Sequence, residues 1–238
     1  MKSMRHFLRL SKRSFELKKE LKKGPDCLFF WIPKNAGTST YQALNQSIGM
    51  IILKRKPDVL AFPNVGPVTF GHYHTLSLLK MGVISNSYFE NAFKFAITRD
   101  PYRRVLSLYH YLTWGKAAPK YSFDHFLDDV ITNAPPVGCY NVLGLSQANP
   151  QMDWISDGKG GVLTDQLMKI ENVQSELERR FQKPFFLPKS NSFSERKEHI
   201  VENFSFKELI MSNERLDKIE SFYHRDFELL GYDKIKRS

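Results

Sequence analysis

A lysine, a glycine and three consecutive hydroxyl side chains follow directly after a short apolar run near the start of the chain. The run, Cys27 to Ile32, is aromatic and β-branched, which is typical of a strand buried on both faces. Pro33 ends this strand, Lys34 supplies a positive charge, and Gly37 permits a tight or left-handed turn. The hydroxyl groups of residues 38–40 then fall on the first turn of a helix, where free N–H groups and the helix dipole favour a phosphate. We therefore expect an anion-binding site in this turn.

The spacing within the turn limits which anion it would hold. The usual nucleoside triphosphate loop, G-x-x-x-x-G-K-[ST], does not fit, because Lys34 precedes Gly37 and places the cation at the end of the strand. This order favours an anionic nucleotide other than ATP or GTP. On these residues alone, an ordinary polar turn between a strand and a helix is the alternative.

A second charged residue stands at the end of another predicted strand. Residues 93–98 (FKFAIT) have the composition of a strand and run directly into RDPYRRVLSLYHYL. Asp100 and Pro101 are typical of the cap and first turn of a helix, so Arg99 lies where strand and helix meet. Arginine and serine both suit a phosphate, the first as a planar clamp and the second as a directional donor. Ser107 follows about two turns into the helix, and the orientation of that helix decides whether it reaches the same ligand as Arg99.

Two histidines, His72 and His74, follow a third short strand, Val68 to Phe70, within the sequence GHYH. Histidine titrates near neutral pH and can act as a general base. In an extended segment both rings would point to the same side, so geometry alone does not choose between them. The other histidines fall on predicted helices or at their edges and are expected to be surface or core residues: His6, His110, His125, His199 and His224.

Strands alternate with helices over most of the chain, which predicts an α/β domain with a central, mainly parallel sheet. Two further strands are predicted at 51–53 and 162–170. Residues 54–67 contain three prolines and are predicted to be loop. Helices are predicted over 2–23, 41–48, 75–91 (with a turn), 123–131 and 172–181, and after the capping residues Ser205 and Ser212.

The formal net charge of +10 is concentrated at the N-terminus. Residues 1–24 carry nine Lys or Arg against two Glu, a net of +7, which leaves +3 for the rest of the chain. A nucleic-acid-binding surface over the whole domain is therefore not implied. The two cysteines, Cys27 and Cys139, are too few for a disulfide framework or a four-ligand zinc site. The cysteines therefore suggest no metal centre. Because no apolar stretch is long enough for a transmembrane helix, we expect a soluble, intracellular protein.

Residues 2–23 predict a basic amphipathic helix that ends at Gly24. Its apolar side chains recur at helical spacing: Phe7, Leu10, Leu17 and Leu21. We expect this element, 1–24, to precede a single α/β domain, 25–238. The helix either packs on that domain with its lysines in solvent or docks on a membrane surface or an acidic polymer.

Taken together, the two charged strand ends resemble the signature of a known family. The turn PKNAGTS at 33–39, followed by a strand that runs into RDPYRRVLSLY at 99–109, is similar to the paired motifs of the sulfotransferases that use 3′-phosphoadenosine 5′-phosphosulfate (PAPS). The similarity is closest to the carbohydrate-modifying branch, which includes the heparan sulfate 2-O-sulfotransferases and compact bacterial relatives. It implies a P-loop-like three-layer fold with helices flanking the sheet. Shorter similarities continue along the chain: residues 151–155, IENV at 170–173, LPKSN at 187–191 and FYHRDFELLGY at 222–232.

The resemblance also implies a role for each motif. The first turn would bind the 5′-phosphosulfate end of PAPS, with Lys34 at the bridging region, while Arg99 and Ser107 would bind the 3′-phosphate. His72, directly after the glycine, would be the general base. The residues implied for the donor site are Lys34, Asn35, Ala36, Gly37, Thr38, Ser39, Thr40, Arg99 and Ser107.

These expectations describe a metal-free, in-line transfer of a sulfuryl group to a hydroxyl of a carbohydrate or glycoconjugate. We expect this activity in the cytoplasm or peripherally at a membrane, with no nucleic acid partner. One alternative is a P-loop-type nucleotide kinase, which the missing G-K-[ST] and the lack of an obvious Mg²⁺ carboxylate disfavour. Another is a non-enzymatic protein that binds polyanions or membranes through residues 1–24.

Overall fold

A five-stranded sheet forms the centre of the protein, and every pairing of neighbouring strands in it is parallel. The computed structural model describes residues 2–113, 122–132, 145–188 and 204–237. The strand order is β2-β3-β1-β4-β5. The predicted α/β fold with a central parallel sheet is confirmed. The strands are β1 (Cys27–Phe30), β2 (Ile51–Ile52), β3 (Pro67–Thr69), β4 (Phe93–Thr98) and β5 (Gln166–Lys169).

Helices connect these strands and cover both faces of the sheet. In chain order they are α1 (Lys2–Leu21), α2 (Gly37–Ile48), α3 (Lys56–Leu60), α4 (Thr75–Lys80), α5 (Asn86–Asn91), α6 (Pro101–Leu112), α7 (Phe123–His125), a π-helical segment (Phe126–Thr132), α8 (Gln151–Ile155), α9 (Val173–Phe181), α10 (Phe206–Ile210), α11 (Asn213–Phe222) and α12 (His224–Leu230). None of the helices in the described ranges is long and apolar enough to cross a membrane.

The central strand β1 is buried on both faces, as its composition predicts. Leu28 and Phe30 join a core with side chains of α1, α4, α5 and α8. Phe29 and Trp31 point to the opposite face, into a core with α2, α9 and the neighbouring β4. This alternation follows from the two-residue period of a strand, and it produces the three layers of the fold.

A third core lies among the helices in the second half of the chain. Tyr102 and Tyr109 of α6 pack there with Phe123, Phe126 and Tyr223, and all five are buried. The predicted caps that hold these helices are present. The Asp100 side chain accepts a hydrogen bond from the Arg103 N–H, and Ser205 and Glu208 form a capping box.

Two regions differ from the sequence prediction. The three prolines of 54–67 predicted a loop, but residues 56–60 form α3. Pro57 is tolerated because it occupies the first turn of this helix, where its missing N–H costs no hydrogen bond. Asp58 then binds both Arg13 and Arg55, each at 2.8 Å, and these ion pairs hold the short helix. The single helix expected after Ser212 is two helices, α11 and α12, which meet at Tyr223.

Candidate functional site

Three of the predicted site residues follow three neighbouring strands. His72 comes after β3, Lys34 after β1 and Arg99 after β4, and these strands are adjacent and parallel. The carboxyl ends of parallel strands meet at one edge of a sheet, and ligands of open α/β folds bind there. The topology therefore brings together residues that are far apart in the sequence.

The turn after β1 has an unusual backbone. Lys34 and Ala36 both have left-handed conformations, with φ of 68° and 55°. Ala36 caps α2 without a side-chain hydrogen bond, so its side chain accepts nothing from the N–H groups of the first helical turn. Left-handed residues in such a turn direct successive N–H groups into a concave surface that suits an anion. The predicted strand, turn and helix are thus formed by this segment.

Gly37 has a different role from the one predicted. The φ angle of Gly37 is not positive, and the left-handed conformations of this turn are adopted by Lys34 and Ala36. Gly37 is instead required for close packing, since a Cβ atom there would collide with the indole ring of Trp31. Trp31 is buried and stacks on Tyr41 of α2, with ring centroids 5.8 Å apart. The glycine therefore lets the tryptophan form a wall beneath the turn.

Lys34 connects the turn to α6. Its ammonium lies 4.0 Å from the centroid of the Tyr111 ring. Tyr111 lies one helical turn after Ser107 on the same face of α6. Lys34 and the half-buried Ser107 therefore lie on the same side of this helix. His110 is buried next to them, and burial together with the Lys34 charge lowers its pKa to about 4.

Arg99 lies between the turn and the end of β4. Its Nη1 atom donates to the Lys34 carbonyl at 3.1 Å. Burial, and then the charge of Arg103, lower the pKa of the Arg99 guanidinium, although an arginine stays charged at neutral pH. No carboxylate of the described residues lies within ion-pair distance of Arg99, although the charges of Asp100 and Glu171 act to raise its pKa. A partly buried cation beside another cation favours an anionic ligand.

Gln151, at the start of α8, joins the turn to β4 through one side chain. Asn35 donates to its Oε1 atom at 2.7 Å and to the Ile97 carbonyl at 2.7 Å. The same Gln151 Oε1 accepts from the Arg99 N–H at 2.9 Å, and its Nε2 donates to the Arg99 carbonyl at 2.8 Å. Asn35 and Gln151 are both buried, so these hydrogen bonds are shielded from water.

The Gln151 amide is held in turn by a buried carboxylate. Asp226 of α12 is fully buried, and burial raises its pKa. It accepts hydrogen bonds from the Gln151 N–H at 2.9 Å, the Gln151 Nε2 at 3.2 Å and the Met152 N–H at 3.0 Å. Sequence reasoning pointed to residues 151–155 and 222–232 only through resemblance. No local pattern indicates that a glutamine and an aspartate 75 positions apart will meet.

Arg104 supports the same turn from α6. It is 1% exposed, and it donates to the Pro33 carbonyl at 3.1 Å and to the Gln147 carbonyl at 2.9 Å. Its Nη1 atom has no hydrogen-bond partner among the described residues. The sequence contained a signal for this residue, because Arg104 lies one helical turn before the apolar Leu108, on the same face of α6. An arginine on an apolar face is buried only where it is bonded.

His72 is half-buried and hydrogen-bonded to the backbone of the turn. Its Nδ1 atom lies 3.1 Å from the Trp31 carbonyl, which can only accept, so the ring carries its proton on Nδ1. Burial, together with the charges of Lys54 and Lys34, lowers the pKa of His72 to about 4. The ring is therefore neutral at neutral pH, with a lone pair on Nε2. Lys54, which sequence reasoning missed, also lies 5.2 Å from the centroid of the Trp31 ring.

The two histidines of GHYH differ in their surroundings. The segment is not extended, because Gly71 has a φ of 60° and the chain turns before α4. His74 is 3% exposed and stands at the cap position of α4, with Nδ1 3.4 Å from the Ser77 hydroxyl. Of the two rings, His72 is the more exposed and the one that contacts the turn. The geometry favours it as the base, and its role stays a prediction.

The remaining predicted residues lie away from the strand ends or outside the described residues. His125 forms an exposed ion pair with Asp129, and the exposed His224 contacts the Ser221 carbonyl. Among the described residues, no three His, Cys, Asp or Glu side chains lie close enough together to bind a metal ion. The predictions for Cys139, His199 and residues 189–191 fall outside the described residues.

We expect Gln151→Glu to destabilise the protein most at neutral and alkaline pH. The new carboxylate could not donate to the Arg99 carbonyl and would repel Asp226, and a buried group left without its partner costs about 1–3 kcal/mol. As the pH falls, protonation restores a donor, so the difference from wild type should shrink. Urea unfolding at several pH values measures this, with the exposed Gln46→Glu as the matched control. Equal stability of Gln151→Glu and wild type at alkaline pH would contradict the role given to this network.

Comparison with known families agrees with this geometry. A family model described as "Sulfotransferase family" matches residues 23–128. The matched range contains the turn after β1, the GHYH segment and the start of α6 with Arg99 and Ser107. No curated protein and no solved structure matches the chain. The matched segment carries both motifs at adjacent strand ends of the parallel sheet, so the chain is similar to the sulfotransferase family there, which supports an enzyme that acts as a sulfotransferase.

Proposed function

We propose that this sulfotransferase moves a sulfuryl group from PAPS to a hydroxyl of a carbohydrate or glycoconjugate, with His72 as the general base. The observation that carries the proposal is the meeting of His72, Lys34 and Arg99 at three adjacent strand ends, with His72 neutral and protonated on Nδ1. The family generally uses PAPS. Support for a carbohydrate acceptor comes from the resemblance of the two motifs to the carbohydrate-modifying branch.

The residues present fit a nucleotide with anionic groups at two positions. The left-handed turn at Lys34 and Ala36 and the uncapped start of α2 form a cradle for one anion. Arg99, partly buried near Arg103 and without an ion-paired carboxylate among the described residues, suits a second. Ser107 lies on the α6 face that Lys34 approaches. These two positions would hold the 5′-phosphosulfate and the 3′-phosphate of the donor.

Each reacting group has a task that its surroundings support. PAPS supplies the sulfuryl group, and adenosine 3′,5′-bisphosphate is released. The acceptor oxygen bonds to sulfur as the bond from sulfur to the 5′-phosphate oxygen breaks, and the acceptor proton passes to Nε2 of His72. Lys34 stabilises the negative charge that grows on the departing phosphate. Catalysis of this kind depends mainly on positioning and electrostatic stabilisation.

The donor site can be tested without knowing the acceptor. We expect adenosine 3′,5′-bisphosphate to raise the thermal unfolding midpoint, because a ligand at a hundred times its Kd stabilises the native state by about 2.7 kcal/mol. Arg99→Ala should lose this shift. Arg103→Ala is the matched control, since Arg103 is exposed and its guanidinium packs 4.4 Å from the Phe206 ring centroid. ADP and ATP with Mg²⁺ are measured in parallel.

The outcomes separate the candidate functions. A shift with the bisphosphate that is lost in Arg99→Ala and kept in Arg103→Ala supports the PAPS site. A shift with ATP and Mg²⁺ alone would instead favour the kinase, and an equal loss in both arginine variants would indicate only a general effect of charge.

A further inference from the structure

Helix α1 exposes a row of large apolar side chains to solvent. Met4 and Phe7 are each 68% exposed, and Leu8 and Phe15 are each 60% exposed. Their spacing of three, four and seven residues places them on one face of the helix. We call this set of four residues the outer face. Soluble proteins rarely leave so many large apolar side chains together on one helix, so the outer face points to a binding partner.

The helix is held on the protein by a different face. Leu17 and Leu21 are almost completely buried in the core that covers one side of the sheet, and Leu10 packs against the same core. Arg13 binds Asp58 of α3 at 2.8 Å. The outer face is therefore not the surface through which α1 docks on its own domain.

The charges on α1 are divided between its faces. Lys12, Lys18 and Lys19 are exposed and border the outer face, and the Lys19 ammonium sits 4.5 Å from the centroid of the Phe15 ring. The two acidic residues of the helix, at positions 16 and 20, lie on the far side. The outer face is thus apolar with a basic border and without carboxylates, which complements an anionic surface.

The N-terminal end of α1 extends toward the side of the sheet where the strands end. Leu21 packs against Gly66 before β3, where a Cβ atom would collide with the Leu21 backbone. Arg13 binds α3, which follows the end of β2. Leu10 is the last residue of this end seen to pack on the core, and at 1.5 Å per residue the segment 2–9 reaches about 12 Å beyond it. Three of the four outer-face side chains, Met4, Phe7 and Leu8, lie on this extension.

We propose that the outer face of α1 docks the protein on an anionic lipid membrane, with its aromatic and aliphatic side chains in the interface and its lysines near the headgroups. This inference is independent of the identity of the donor and acceptor. A soluble polyanion would engage the lysines alone and gives no reason for two exposed phenylalanines, a leucine and a methionine. Apolar anchors with a basic border are what peripheral binding to anionic lipid requires.

Vesicle sedimentation of the full chain tests the proposal. Wild type should sediment with vesicles of equal parts phosphatidylcholine and phosphatidylglycerol and much less with phosphatidylcholine alone. Phe7→Ser combined with Leu8→Ser should lower the partition coefficient on the anionic vesicles by roughly tenfold or more, because two apolar anchors are removed. Lys12→Glu combined with Lys19→Glu should lower it by a similar factor, and added salt should weaken wild-type binding.

Phe186→Ser is the matched control, since Phe186 is 74% exposed elsewhere on the surface, and it should bind vesicles as wild type does. Because all the changed residues are exposed, urea unfolding of each variant should match wild type. Equal vesicle binding by wild type and the Phe7→Ser, Leu8→Ser variant would overturn the proposal. So would wild type that binds soluble dextran sulfate and not the anionic vesicles, because the partner would then be a polyanion.

Discussion

His72→Ala should lower kcat by roughly 10²- to 10⁴-fold, the usual contribution of a positioned general base. Binding of adenosine 3′,5′-bisphosphate should stay close to that of wild type, because the His72 ring hydrogen-bonds to the Trp31 carbonyl, which precedes the cradle at Lys34 and Ala36, and its proposed task concerns the acceptor. Steady-state kinetics with a true acceptor, combined with calorimetric binding of the bisphosphate, measures the two effects separately. Wild-type turnover of His72→Ala would rule out this histidine as the base.

Two further variants separate the base from its packing. In His72→Asn the side-chain amide can still donate to the Trp31 carbonyl but cannot take up the acceptor proton, so its loss of turnover should match that of His72→Ala. His74→Asn should retain much more activity, because His74 is buried at the start of α4. The pH dependence has a defined sign. The ring must be neutral to accept a proton, so kcat/KM, which reports the free enzyme, should rise with pH through about 4 and be level above it.

Lys34→Ala should lower kcat by roughly 10²- to 10³-fold, as expected when one electrostatic stabiliser of the transition state is removed. The bisphosphate should still bind, because Arg99 and the backbone of the turn remain. Alanine is the informative replacement, since Lys34 has a φ of 68° and a glycine would relax the turn as well as removing the charge. Single-turnover kinetics with saturating donor measures the chemical step directly.

The matched control for Lys34 is Lys54, a second lysine near His72. Lys54 is exposed, and its ammonium lies 5.2 Å from the centroid of the Trp31 ring. Lys54→Ala should therefore lower kcat much less than Lys34→Ala does. Equal losses in the two variants would mean that the total positive charge matters, and not a lysine at the departing phosphate.

The kind of fold and the strand, turn and helix start of the candidate anion site were predictable from sequence because their signals are local. The apolar run of β1 and the small residues that follow it fix a strand, a turn and a helix start within about fourteen residues. Asp100 and Pro101 begin α6 by the same local rules of capping. A chain in which strands alternate with helices forms a parallel sheet, and the carboxyl ends of its strands then lie along one edge of the sheet.

The tertiary structure decided which residues support the site and what each glycine and histidine does. Gln151 meets Asn35 across 116 positions, and Arg104 meets the Pro33 carbonyl across 71, so no local pattern could have paired them. Gly37 is a glycine because Trp31 packs against it, a contact that depends on how α2 folds back over β1. The difference between His72 and His74 came from a turn at Gly71 that directs one ring to the site and buries the other.

For α1, periodicity alone predicted an amphipathic basic helix but could not say which apolar residues would be covered. Packing assigned Leu17 and Leu21 to the core and left Phe7 and Phe15 in solvent. Sequence determines local conformation and the chemistry that is available, because those depend on neighbours along the chain. Which side chains meet, which are desolvated and which stay exposed depends on contacts between distant segments, and only the folded structure determines those.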